Sequence, residues 1–138
     1  MNDDKYNLSS ILKYVDLVGY LNEKSTDHYI LDENNNVIPG SPIEWSILLR
    51  DKKRTTVKKD DIDRYHVSTV FLGIDYHFYE DNIVHVFETM IFDSENHDSD
   101  YCERYATWKE AEEGHERAIQ WIKNGCKKED ENGESYGQ

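Results

Sequence analysis

Six histidines (28, 66, 77, 85, 97 and 115) stand among 29 Asp and Glu residues in a chain of 138. Asp75, His77, His85 and Glu88 fall on or beside one predicted hairpin, and two histidines with a carboxylate form a donor set for a transition metal. The spacing does not compel such a site. There is no HExxH, no H-x-E followed by PCxxC, and no DxDxDG loop. The odd separation of His85 and Glu88 also places them on opposite faces of a strand. Neither a metal nor a cofactor is expected. Asp93 to Cys102 (DSENHDSDYC) is rich in oxygen ligands but lacks the positioned glycine and terminal glutamate of a calcium loop, so it reads as a flexible acidic loop.

No catalytic residue is assigned. Ser68 has no G-x-S-x-G around it, and no glycine-rich phosphate loop occurs. Glu88 is the most informative single position. A carboxylate between Val86 and Met90 is costly to bury unless paired, and Arg104 or a tyrosine hydroxyl is the expected partner. The alternative is a pocket acid with a raised pKa. His115 lies on the apolar face of a predicted helix and reads as a packed, hydrogen-bonded residue. With Tyr76, His77, Glu88 and Arg104 it makes up the candidate lining of a small ligand pocket.

Charge is the other candidate for function. The formal net charge is -13, yet residues 50–59 hold Arg50, Lys52, Lys53, Arg54, Lys58 and Lys59 against Asp51 alone, a net +5. Residues 65–102 contain no Lys or Arg and carry eight carboxylates. Asp75, Glu80, Asp81, Asp93, Glu95, Asp98, Asp100 and Glu103 are the candidates for an acidic face that meets a basic partner. The acidity argues against a general nucleic-acid coat, which needs clustered Lys and Arg, so no direct nucleic-acid partner is expected.

These side chains need elements to hold them. Leu8, Ile11, Leu12, Val15, Val18 and Leu21 give a helix over 8–22. Tyr29–Leu31 and Val37–Ile38 flank the turn composition of Asp32–Asn36 and predict a short hairpin. Ser41 as N-cap and Pro42 at the first helical position open a helix over about 42–53, with an apolar stripe of Ile43, Ile47 and Leu48. Residues 66–74 and 83–92 are β-branched and aromatic, and the turn at Tyr79–Asn82 joins them as an antiparallel hairpin. Both carry apolar residues on two faces, which predicts central strands. Gly73 within the first reads as a bulge or a close approach. Thr107 and Glu110 make a capping box for a last helix over 107–124. Trp108, Ala111, His115, Ala118, Ile119 and Ile122 share its inner face, and Gly125 stops it. Residues 126–138 lack an apolar pattern and are expected to be a disordered acidic tail.

The expected architecture is α+β: one domain over 1–125 with a small antiparallel sheet on the 66–74/83–92 hairpin, packed against two to three helices, the 8–22 helix peripheral or facing a partner. Hydrophobic residues make up 37% and mean hydropathy is -0.89, which demands a compact core. No apolar run approaches the roughly 20 residues of a membrane span, so no membrane is expected. The start, Met1-Asn2-Asp3-Asp4-Lys5, is not a secretory signal, and Cys102 and Cys126 read as reduced thiols, so the expected location is cytoplasmic.

Three blocks are familiar together: Val67–Phe78 (VSTVFLGIDYHF), Phe87–Phe92 (FETMIF) and Arg104–His115 (RYATWKEAEEGH). In combination they resemble a widespread uncharacterised family of small proteins from phages and other mobile elements. The likeness covers the second half of the chain and the helix around Trp45. In the family's pattern an Asp-His pair follows the Leu-Gly-hydrophobic step, whereas here Tyr76 takes the histidine's place and His77 comes one position later. The resemblance implies a phage or prophage origin and no particular activity. The function expected first is a small accessory protein that binds and inhibits a host or defence protein with a basic surface. The alternatives are a binder or hydrolase of a small charged ligand, such as a nucleotide signal, and a virion or assembly component.

Overall fold

The computed structural model describes residues 27–76, 81–96, 101–129 and 135–137. The predicted helix at 8–22 lies outside them. The chain opens with a hairpin of β1 (Tyr29–Leu31) and β2 (Val37–Pro39), paired antiparallel. The Asp32 carboxylate closes the turn by accepting from the N–H groups of Asn34 and Asn36, at 2.8 and 2.9 Å, and Asn35 takes φ 61°. That is the local hydrogen bonding for which Asp and Asn are favoured in turns.

Helix α1 (Pro42–Arg50) begins with a full capping box. Ser41 Oγ accepts from the Glu44 N–H, and the Glu44 carboxylate accepts from the Ser41 N–H. It stops earlier than the expected 53, because the Asp51 side chain caps a separate turn, α2 (Lys52–Thr55). The expected stripe needs one correction: Ile47 points outward at 60% exposure, and no residue of α1 is fully buried. Leu48 of the stripe packs on the core, as does Leu49, which extends it, and Trp45 reaches the sheet.

The main sheet has four antiparallel strands in the order β3 (Thr56–Ile62), β4 (Tyr65–Phe71), β5 (Phe87–Asp93), β6 (Cys102–Tyr105). The predicted hairpin is β4–β5, with Phe71 opposite Phe87, and both strands are central. On the turn side β4 stops at Phe71 and β5 starts at Phe87, short of the expected 74 and 83, and Gly73 turns the chain there at φ 71°. Leu72 and Gly73 both donate to the Val86 carbonyl, at 2.7 and 3.3 Å. Strand β3 follows α2 directly, and β6 occupies residues where no strand was expected.

Helix α3 (Trp108–Lys123) covers one face of this sheet. Ala111, His115, Ala118, Ile119 and Ile122 are buried beneath it as the spacing requires, and Gly114 joins them. Thr107 Oγ1 accepts from the Glu110 N–H at 3.1 Å, while the Glu110 carboxylate bonds the Ala106 N–H rather than that of Thr107. Gly125, at φ 73°, ends the helix, and the Cys126 N–H returns to the Trp121 carbonyl. In the tail, β7 (Lys127–Glu129) pairs with β8 (Ser135–Gly137), where composition suggested disorder. Two apolar clusters build the core. One joins Leu31, Phe71, Val86, Phe87, Tyr105 and Ala111; the other joins Val67, Ile91, Ala118, Ile119 and Ile122. The fold is α+β. Among the described residues no helix is long and apolar enough to cross a membrane.

Candidate functional site

Strand parity divides the candidate residues between two faces of the sheet. Thr69, Thr89 and Tyr105 point toward α3; Val70, Glu88 and Arg104 point away from it. The pocket predicted from Tyr76, Glu88, Arg104 and His115 is therefore not one site. His115 is separated from the others by the sheet itself, and His77 lies outside the described residues.

On the inner face, His115 is fully buried. Its Nε2 lies 2.7 Å from the Asp60 carboxylate and its Nδ1 2.7 Å from Thr69 Oγ1. Thr69 meets Thr89, its direct cross-strand partner, hydroxyl to hydroxyl. Thr89 stands opposite Glu103, and the Glu103 carboxylate accepts from the hydroxyls of Tyr101 and Tyr105 and from Arg117. Polar contacts thus tie all four strands to α3 inside an apolar layer. Burial first, and then the Glu103 charge, hold the Tyr101 phenol far above its usual pKa; burial does the same to Tyr105. Asp60, Thr69 and Thr89 were not anticipated. Their signal was parity: each threonine replaces an apolar residue on the core-facing side of a central strand.

On the outer face, Glu88 and Arg104 are opposite one another in the β5–β6 register and form an ion pair at 2.6 Å. Their side chains are 13% and 12% exposed, so the pair is nearly dry. This is the partner expected for Glu88. The Arg104 guanidinium also lies 5.0 Å from the Tyr76 ring centroid. Cys102 donates toward Glu88 at 3.5 Å, and burial beside that carboxylate raises the thiol pKa.

The acidic-face candidates are largely engaged within the molecule. Asp75 is buried. Asp81 pairs with His85 at 3.1 Å, a contact that lowers its pKa. Asp93 and Glu95 share Arg64, at 3.0 and 2.7 Å, and Glu103 pairs with Arg117. Glu80, Asp98 and Asp100 lie outside the described residues. The basic segment divides differently. Arg54 reaches inward to the Asn35 side chain and the Asp32 carbonyl, and Lys58 pairs with Glu116. Arg50, Lys52, Lys53 and Lys59 are exposed and form no ion pair among the described residues.

Lys52 and Lys59 line a cavity of about 290 Å³ on the outer face, with Trp45, Thr56, Val70 and Tyr76 around it. A larger cleft, about 510 Å³, lies between the β1–β2 turn and the start of α3. Two of its three asparagines already bond within the turn or to Arg54, and its Trp108 packs on Phe87 in the core. Among the described residues no three metal-ligating side chains converge. Cys102 and Cys126 are both free thiols. No family model, curated protein or solved structure matches the chain.

Proposed function

We propose that this chain is a small accessory protein of phage or mobile-element origin that acts by binding and inhibiting a host or defence protein in the infected cell. The observation that carries this reading is the uneven charge along the chain: residues 50–59 are net +5, whereas residues 65–102 hold eight carboxylates and no Lys or Arg. Neither edge strand carries a net charge, since β3 has Asp60 and Asp61 beside Lys58 and Lys59, and β6 has Glu103 beside Arg104. The surplus of acid lies in the segments around β5, and a basic surface is attracted to it.

Glu95, with 66% of its side chain exposed, and Asp81, with 41%, keep open surface beside Arg64 and His85, and a basic partner engages them by competing for those ion pairs. The test is expression in bacteria carrying a panel of defence systems, followed by phage challenge and co-purification of the affected component. The expected result is restored infection against one system, lost on charge reversal by Asp81→Lys with Glu95→Lys. Restoration that survives both reversals refutes a role for these carboxylates. Failure to restore infection in any system refutes inhibition of the defences tested.

A further inference from the structure

The geometry points to a second, independent site: the Trp45–Tyr76 cavity binds a small aromatic anion of the size of a nucleoside monophosphate. It is separate from Asp81 and Glu95 and does not rest on the protein-binding reading.

Trp45 is held in place before any ligand arrives. Its indole N–H donates to the Leu72 carbonyl at 2.9 Å. His28 meets it edge-on, with ring centroids 5.0 Å apart. On another side the backbone of Gly73 touches the ring: a Cβ at Gly73 would stand 2.5 Å from Trp45 Cδ1 and 2.6 Å from Nε1. Only glycine fits there, and only glycine takes φ 71° without strain. The close approach expected of Gly73 is therefore an approach to this indole. With its one donor engaged, the ring has only carbon and π surface left to offer.

Tyr76 supplies a second ring. It is half exposed and rests against the Arg104 guanidinium, which Glu88 holds from the other side. Thr56 and Val70, opposite one another in the β3–β4 register, contribute to the lining. Lys52 and Lys59 add two ammonium groups that form no ion pair among the described residues. Aromatic side chains lining a cavity recognise a planar ring by stacking, worth about 1–3 kcal/mol per base in nucleic-acid complexes. Two unpaired ammonium groups recognise an anionic substituent on it.

Size and charge narrow the class. A cavity of about 290 Å³ lies at the lower limit for small-molecule pockets, roughly 300–1,000 Å³. A net charge of -13 repels a long polyanion, whereas a single small anion feels mainly the two lysines beside it.

The experiment is calorimetric titration of the full chain with each common ribonucleoside 5′-monophosphate, with the free nucleosides, with inorganic phosphate and with a short single-stranded oligonucleotide. Expected is saturable binding of at least one monophosphate, at least tenfold tighter than its nucleoside or phosphate alone. Lys52→Ala, Lys59→Ala and Tyr76→Ala each weaken it about tenfold; all three replace exposed or half-exposed side chains, and unchanged circular dichroism checks the fold. Trp45 indole N–H shifts in an amide correlation spectrum place the ligand. Absence of saturable binding up to about 5 mM overturns the proposal. So does binding that the three substitutions leave intact, a nucleoside that binds as well as its monophosphate, or an oligonucleotide that binds more tightly than any mononucleotide.

Discussion

Replacing Gly114 by alanine sets two effects of opposite sign against one another. In the interior of an exposed helix the change gains about 0.8–1 kcal/mol, because glycine loses more backbone entropy on folding. Gly114 instead lies on the buried side of α3, and a Cβ built there overlaps Cζ, Cε1 and Oη of Tyr105. The ring is poorly able to yield: it is 3% exposed, its hydroxyl is held by Glu103 at 3.0 Å, and Arg117 sits over it at 5.8 Å. Forcing a methyl group into a filled core costs about 1–3 kcal/mol, and a disturbed hydrogen bond to a charged acceptor adds about 1.5. Subtracting the helix gain leaves a net loss of about 2.5 kcal/mol. Urea unfolding followed by far-ultraviolet circular dichroism reads this as a lower midpoint at unchanged slope. In a thermal melt it corresponds to a fall of about 8 °C. Tyr105→Leu removes the obstacle, so the double variant loses less than the sum of the two single ones. Glu113→Ala, on the outer face of the same helix, is the control and stays within about 0.5 kcal/mol of the parent. Gly114→Ala at or above parental stability refutes the claim that Tyr105 fixes the space beneath α3.

Three further outcomes are expected. Glu88→Leu leaves Arg104 nearly buried without its carboxylate and costs about 3–5 kcal/mol in urea unfolding; adding Arg104→Met recovers most of it, and a single-variant loss below about 1 kcal/mol contradicts the dry ion pair. Gly73→Ala combines a left-handed backbone with a collision against Trp45, so it destabilises by about 2 kcal/mol; parental stability with an unmoved indole N–H resonance argues against that contact. Acid weakens the fold through depressed carboxyls: the Asn36 N–H groups lower Asp32 from its ordinary 3.8, and Lys58 lowers Glu116 from its ordinary 4.5. A carboxylate depressed in the folded state stabilises fully above its unfolded pKa and loses that contribution as pH falls through the folded one. Stability therefore drops from about pH 5 toward pH 3, and Asp32→Asn, which keeps an acceptor without a proton to gain, flattens the slope. An unchanged slope removes Asp32 from the account.

Local chemistry was legible in the chain. Ser41 and Thr107 cap helices because their hydroxyls reach orphan N–H groups a few residues on, and Gly125 ends α3 because it tolerates a positive φ. The type and antiparallel pairing of β4 and β5 followed from β-branched runs, and the need of Glu88 for a cationic partner followed from its apolar neighbours. Each of these depends on residues close in sequence or on a carboxylate's cost of burial. The composition of 93–102 was legible too, but not its destination. Asp93 and Glu95 meet Arg64, about thirty positions away, and such a pairing has no local signature.

Only the tertiary structure decided which candidates share a site. It set Glu88 and His115 on opposite sides of one sheet, because adjacent strand positions point apart and α3 covers a single face. It also turned Trp45, which the sequence reads as one more apolar residue of its helix, into the fixed wall of a cavity by seating it on Gly73 and the Leu72 carbonyl. The charge pattern of residues 50–102 belongs to the sequence, whereas the choice of groups left unpaired belongs to the fold. Carboxylates on the loops and on β6 found arginines and a histidine within reach, while Lys52 and Lys59 form no ion pair among the described residues.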